Sequence, residues 1–119
     1  MTISRQEKEF VNYLVDLMQS IGPVTAKSMF GGYGIFLNGL MFGLVADSTL
    51  YFKAGKELEI ELTARGSEAF TYSKKGKEFT MSYYQAPEEA LENYEDMELW
   101  ASKAYNAALQ AAEKNPKKK

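Results

Sequence analysis

Tyr33-Gly34-Ile35-Phe36-Leu37-Asn38-Gly39-Leu40-Met41-Phe42-Gly43-Leu44-Val45 decides the fold. Asn38-Gly39 sits between two apolar runs, and that pair suits a type I′ turn, in which both central residues need positive φ. The flanking runs are rich in aromatic and β-branched residues, so they read as the two strands of a hairpin. Asp47-Ser48 turns the chain again, and Leu50-Tyr51-Phe52-Lys53 forms a third strand. Connections this short make the strands antiparallel neighbours.

Upstream lies a helix. Ser4 and Glu7 have the spacing of a capping box. Phe10, Leu14, Leu17 and Ile21, flanked by Val11 and Met18, recur at helical spacing. Gly22 followed by Pro23 ends the pattern as an αL cap and a breaker. Gly31, Gly32 and Gly34 interrupt the first strand. They lack the Lys-Ser/Thr of a phosphate loop and precede a strand, so they read as a bulge or bend.

Downstream, residues 56–65 fit two patterns. Leu58, Ile60 and Leu62 alternate with Glu57, Glu59 and Glu61 as in a strand, while the Glu, Leu and Ala content suits a helix capped by Gly66. Phe70-Thr71-Tyr72 and Phe79-Thr80-Met81-Ser82-Tyr83-Tyr84 form a second hairpin around Lys74-Lys75-Gly76-Lys77. Pro87, at the first helical position, opens a short acidic helix. Asn93 and Asp96 cap a last one, whose apolar face is Leu99, Trp100, Ala104, Ala108 and Leu109, with Tyr105 alongside. The order α-β-β-β-α-β-β-α predicts an α+β two-layer sandwich.

Composition narrows the chemistry. The 119 residues contain no cysteine and no histidine, which excludes disulfides, thiolate metal sites, His-ligated zinc and every His-dependent catalytic pair. The polar N-terminus and the lack of a long apolar run predict no signal peptide and no membrane helix, hence a cytoplasmic protein. Residues 1–113 read as one domain. Residues 114–119 read as a disordered basic tail. Without the four lysines of that tail the body has 10 basic and 16 acidic residues, a formal charge of −6. An acidic body argues against general coating of nucleic acid.

Met29-Phe30-Gly31-Gly32-Tyr33-Gly34-Ile35-Phe36, then Gly39 to Asp47, then Leu50 to Lys53 resemble the N-terminal domain of the TfoX (Sxy) competence regulators. Phe70-Thr71-Tyr72, Met81 to Glu89 and Leu99-Trp100-Ala101 continue the resemblance in order, so that it spans about residues 5 to 112. It implies a fold similar to type III secretion chaperones, with helices on one face of an antiparallel sheet, and so favours a helix over residues 56–65. It also implies a non-catalytic regulatory or protein-interaction domain, a partner tied to transcription with the cyclic AMP receptor protein, and a homodimer. Full-length members carry a C-terminal domain for which this sequence has no length, so a single-domain member is expected.

The residues offer one candidate binding cluster. Lys74, Lys75 and Lys77 lie beside Tyr72, Tyr83, Tyr84 and Phe79. Lysines beside aromatics can hold single-stranded nucleic acid by phosphate contact and base stacking, which is the alternative function. Tyr83 and Tyr84 must point to opposite faces of a strand, so only one of them can join the lysines. Glu88, Glu89, Glu92, Glu95, Asp96 and Glu98 read as a solvated acidic segment that compensates helix dipoles, and no metal or other cofactor is expected. Met18, Met29, Met41, Met81 and Met97 read as fillers of core gaps.

Overall fold

Antiparallel pairing organises the molecule. The computed structural model describes residues 5–29 and 32–114. The elements are α1 (Arg5–Leu17), β1 (Thr25–Met29), β2 (Gly32–Leu37), β3 (Leu40–Ala46), β4 (Thr49–Lys53), α2 (Lys56–Ala64), β5 (Ala69–Lys74), β6 (Lys77–Gln85) and α3 (Tyr94–Lys114). One six-stranded antiparallel sheet runs in the order β1-β2-β3-β4-β6-β5. The α+β class holds, but there is one more strand than expected. β1 is short, polar and mostly exposed, so no apolar alternation marks it in the sequence. As an edge strand it buries little.

Three turns drive the hairpins. Asn38 and Gly39 have φ of 54° and 79°, Asp47 and Ser48 have 51° and 57°, and Lys75 and Gly76 have 54° and 79°. The Asp47-Ser48 turn holds two non-glycine residues at positive φ, and α1 braces it. Glu7, 8% exposed, accepts the Ser48 N–H at its Oε2, 3.0 Å away. The carboxylate expected to cap its own helix thus reaches a turn 41 residues on. Ser4, its expected capping partner, lies outside the described residues.

The helices cover one face of the sheet. Ile35, Leu37, Phe42, Val45, Leu50 and Phe52 meet Val11, Leu14, Leu17 and Met18 of the α1 segment, Leu58 and Leu62 of α2, and Met97, Trp100, Ala101 and Ala104 of α3 in a single core. A register shift at Ile35/Phe36 leaves Phe42 as the extra residue of a bulge. The bulge turns Phe42 towards the helices, where its ring meets Tyr105 edge to face at 5.7 Å. The distortion expected at the glycines therefore falls beside Gly34, while Gly31 lies outside the described residues. Gly32 is needed for a different reason: a Cβ there would sit 2.1 Å from the Val45 carbonyl oxygen.

Segment 56–65 is helical. Leu58 and Leu62 are buried while Ile60 is 64% exposed, the split of a helix and not of a strand. Gly66, φ +89°, closes it: its N–H donates to Thr63 O and the Ser67 N–H to Leu62 O, a Schellman pair. Asn93 caps α3, its Oδ1 accepting the Asp96 N–H at 2.8 Å while its Nδ2 donates back to Asp96 Oδ2 at 3.0 Å.

Several expectations need correction. Leu99 and Leu109 are 51% and 40% exposed, and the buried stripe of α3 runs through Met97, Trp100, Ala101, Ala104, Ala107 and Ala108. Gly22 has φ 141° and ψ −173°, an extended conformation open to glycine and not αL. The α-helix ends at Leu17 and a 3₁₀ turn carries the chain to Ile21. Pro87 precedes the short acidic helix, a 3₁₀ turn over Glu88–Leu91, as its N-cap. α3 extends through Lys114, the first residue of the expected tail. Residues 115–119 lie outside the described residues.

Candidate functional site

Strand alternation puts a second apolar layer on the face of the sheet that the helices leave bare. Phe36 pairs with Met41, and Leu44 with Tyr51. Met29 and Met41 hang over Gly34, where their sulfur atoms would lie 2.5 and 3.2 Å from an added Cβ. Met18 and Met97 fill the core as expected, but Met29, Met41 and Met81 are half-buried, and their strand positions put them on this outer layer.

Four aromatic rings cross this face in a continuous row. Tyr51 of β4 meets Phe70 of β5 edge to face at 5.1 Å. Phe70 lies along Tyr72 at 6.2 Å and 23°, and Tyr72 lies along Phe79 of β6 at 5.4 Å and 20°. Tyr72 and Phe79 are each 42% exposed. Residues 71–80 are all exposed, so the hairpin projects as an arm beyond the helical layer.

The register then places the charges. Tyr72 pairs with Phe79, Ser73 with Glu78 and Lys74 with Lys77. Successive pairs alternate faces, so Lys74 and Lys77 share the face of the rings and Glu78 takes the other. Lys75 is at the tip of the turn, φ 54°. Tyr83 belongs to the bare face and Tyr84 does not. Tyr84 packs against the core, and its hydroxyl donates to Glu59 Oε2 of α2 at 2.9 Å, which raises its pKa. The expected cluster of Lys74, Lys75, Lys77, Tyr72 and Tyr83 thus stands on one side of the sheet or at its tip, and Tyr84 leaves it.

Sequence reasoning missed Lys53, Tyr51 and Phe70. Lys53 pairs with Tyr83; its Nζ lies 5.4 Å from that ring's centroid and donates to Ser82 Oγ at 2.8 Å. Among the described residues no carboxylate is within ion-pair distance of it. Desolvation lowers the Lys53 pKa and pushes that of the Tyr83 phenol up to about 12. At the far edge Lys27 lies over Phe36 at 5.4 Å. Asp47 and Glu68 act on the row at Tyr51. They add to burial in raising the Tyr51 pKa, so this end of the row is the more negative one. The signal that could have found these residues is consecutive apolar side chains: in Leu50-Tyr51-Phe52 both faces of the strand are apolar, although only one meets the core.

Most other acidic groups are on the helical layer, and several are engaged there. Glu61 pairs with Lys103 at 3.0 Å, Glu89 with Arg65, and Asp16 accepts the Tyr94 hydroxyl at 2.8 Å. Among the described residues no three carboxylates converge to hold a metal ion. An open groove of about 660 Å³ lies where the end of β4 meets the start of α2 and the second half of α3. Lys53, Lys56, Ser82, Lys103, Asn106 and Gln110 line it.

These features define an open-faced α+β sandwich whose sheet is covered on one side and bears a partly exposed aromatic layer on the other. The chain belongs to the TfoX N-terminal domain family, which it matches over residues 16–108. It is 34% identical over 86 residues to the DNA transformation protein TfoX1 of Aliivibrio fischeri, across 72% of this chain and 39% of that one. It is 36% identical over 87 residues to the DNA transformation protein TfoX of Haemophilus influenzae, with the same coverage. Protein Sxy of Escherichia coli is 24% identical over 94 residues, covering 79% of this chain and 45% of its own length. The chain thus spans about two fifths of the length of these relatives. No described helix is long and apolar enough to cross a membrane.

Proposed function

We propose that this domain is a non-catalytic regulatory module of the cytoplasm. It acts in the control of DNA-uptake genes by presenting its helix-free sheet face to a partner. The observation that carries this reading is the row Tyr51–Phe70–Tyr72–Phe79, with rings 5.1 to 6.2 Å apart on a face the fold leaves uncovered. An exposed apolar layer edged by polar groups marks a contact surface more often than a structural one. The names of its relatives, DNA transformation proteins, supply the process. The lack of cysteine and histidine supports contact over chemistry.

A chimaera tests it. This chain replaces the matching N-terminal part of the Haemophilus influenzae relative, and transformation frequency is measured. The chimaera transforms, Tyr72→Ala with Phe79→Ala abolishes the gain, and Leu99→Ala with Leu109→Ala on the exposed side of α3 leaves it intact. Full activity in the face variant removes the sheet face from function.

A further inference from the structure

The partner of this face has a chemistry that the face itself describes. We propose that the Tyr72–Phe79 end of the aromatic row binds single-stranded nucleic acid. Bases stack on the exposed rings, and phosphates meet Lys53, Lys74, Lys75 and Lys77. This rests on the reading of the bare sheet face as the contact surface and names its ligand class.

Three observations converge. The first is the rings. Tyr72 and Phe79 are 42% exposed and parallel within 20°, and Phe70 continues the row at 23°. Partly exposed aromatic rings stack on unpaired bases without regard to sequence, whereas the bases of a duplex already cover one another. The second is the register. Lys74 and Lys77 share the face of the rings while Glu78 is turned away, so the arm presents cations and aromatics together. Lys53 adds an ammonium held by a hydroxyl and a ring, free of a carboxylate among the described residues. The third is the separation of charge. A body of formal charge −6 places Glu59, Glu61, Glu89, Glu95 and Glu98 on its helical layer, opposite this face.

The same charges disfavour the other occupants. A second copy that met this one arm to arm would set lysine against lysine, a like-charge contact. An acidic protein would satisfy the lysines and leave the stacked rings without a role.

Fluorescence anisotropy of the full chain against labelled oligo(dT) and oligo(rU) of about 12 nucleotides, within the usual ~4–16-nucleotide footprint, tests the proposal. Binding is expected at low salt. Its log–log salt slope is about −0.7 per phosphate neutralised, so three or four lysine contacts give about −2 to −3. Lys74→Gln, Lys75→Gln and Lys77→Gln together flatten that slope. Tyr72→Ala with Phe79→Ala weakens affinity about tenfold or more at an unchanged slope, because stacking carries no counterions. The tighter of the two oligonucleotides identifies the strand as DNA or RNA. A duplex that binds as tightly overturns stacking, as does polyglutamate that competes as well as oligo(dT). Light scattering that finds a dimer broken by Phe79→Ala, with no oligonucleotide bound, hands the face to a second copy and overturns the proposal. If the ring variants abolish transformation in the chimaera yet no oligonucleotide binds, the contact surface stands and the nucleic-acid ligand falls.

Discussion

The β2–β3 and β5–β6 hairpins have the same turn and opposite fates. Asn38-Gly39 and Lys75-Gly76 each place φ near 54° and 79°. Yet Ile35, Leu37, Phe42 and Val45 of the first hairpin are buried, while residues 71–80 of the second are all exposed. Local chemistry made both ribbons. The layer of helices made one of them structural and left the other as a surface. An isolated two-stranded ribbon is marginal in water. The arm stays folded because its base is anchored: Ala69 pairs with Tyr84, Phe52 also pairs with Tyr84, and Tyr83 is 6% exposed.

Removing one ring from each ribbon gives the largest contrast. Phe42→Ala should cost about 3–5 kcal/mol in denaturant unfolding, since it empties a fully buried site against Tyr105. Phe79→Ala removes a cross-strand partner at the surface and should cost under about 1 kcal/mol. Equal losses would mean that the arm is part of the core.

A finer break uses the turns. Gly39→Ala and Gly76→Ala each force a side chain into φ +79° with no neighbour within 4 Å, a strain of about 1–2 kcal/mol. At Gly39 the strain should lower global stability. At Gly76 it should raise amide exchange in the arm while the unfolding midpoint moves less, because the arm opens locally. Identical shifts in the midpoint would show that the arm opens only with the whole domain.

A further break is protonic. Burial holds the Tyr83 phenol at about 12 against an ordinary 10.0. Between those values the folded chain keeps a proton that the unfolded chain releases, so stability should fall as pH rises through that window. Tyrosinate absorbance should show a last-titrating component that Tyr83→Phe removes. If the component is missing, the bare face is wetter at Tyr83 than the fold implies.

Much of the architecture was legible in the chain. Asn-Gly fixes a hairpin because few residue pairs accept two positive φ values, and Asn93–Asp96 fixes a helix start because its hydrogen bonds are local. Residues 56–65 were not legible by pattern, since Leu58, Ile60 and Leu62 satisfy both periods. Only burial of Leu58 and Leu62 without Ile60 separates them. β1 was invisible because an edge strand buries too little to leave a pattern.

The candidate site divides in the same way. The sequence by itself placed Lys74, Lys75 and Lys77 beside Tyr72 and set Tyr83 and Tyr84 on opposite faces, since strand geometry is local. Tertiary structure alone decided which face the helices cover, and therefore that Tyr84 turns inward to Glu59 while Tyr83 joins Lys53. It alone carried Phe70 across to Tyr51, and Glu7 across 41 residues to brace the Asp47-Ser48 turn. Hydrogen bonds and dihedral preferences act between near neighbours and are written in sequence order. Burial is a property of the packed whole, and no short stretch of chain records what will lie on top of it.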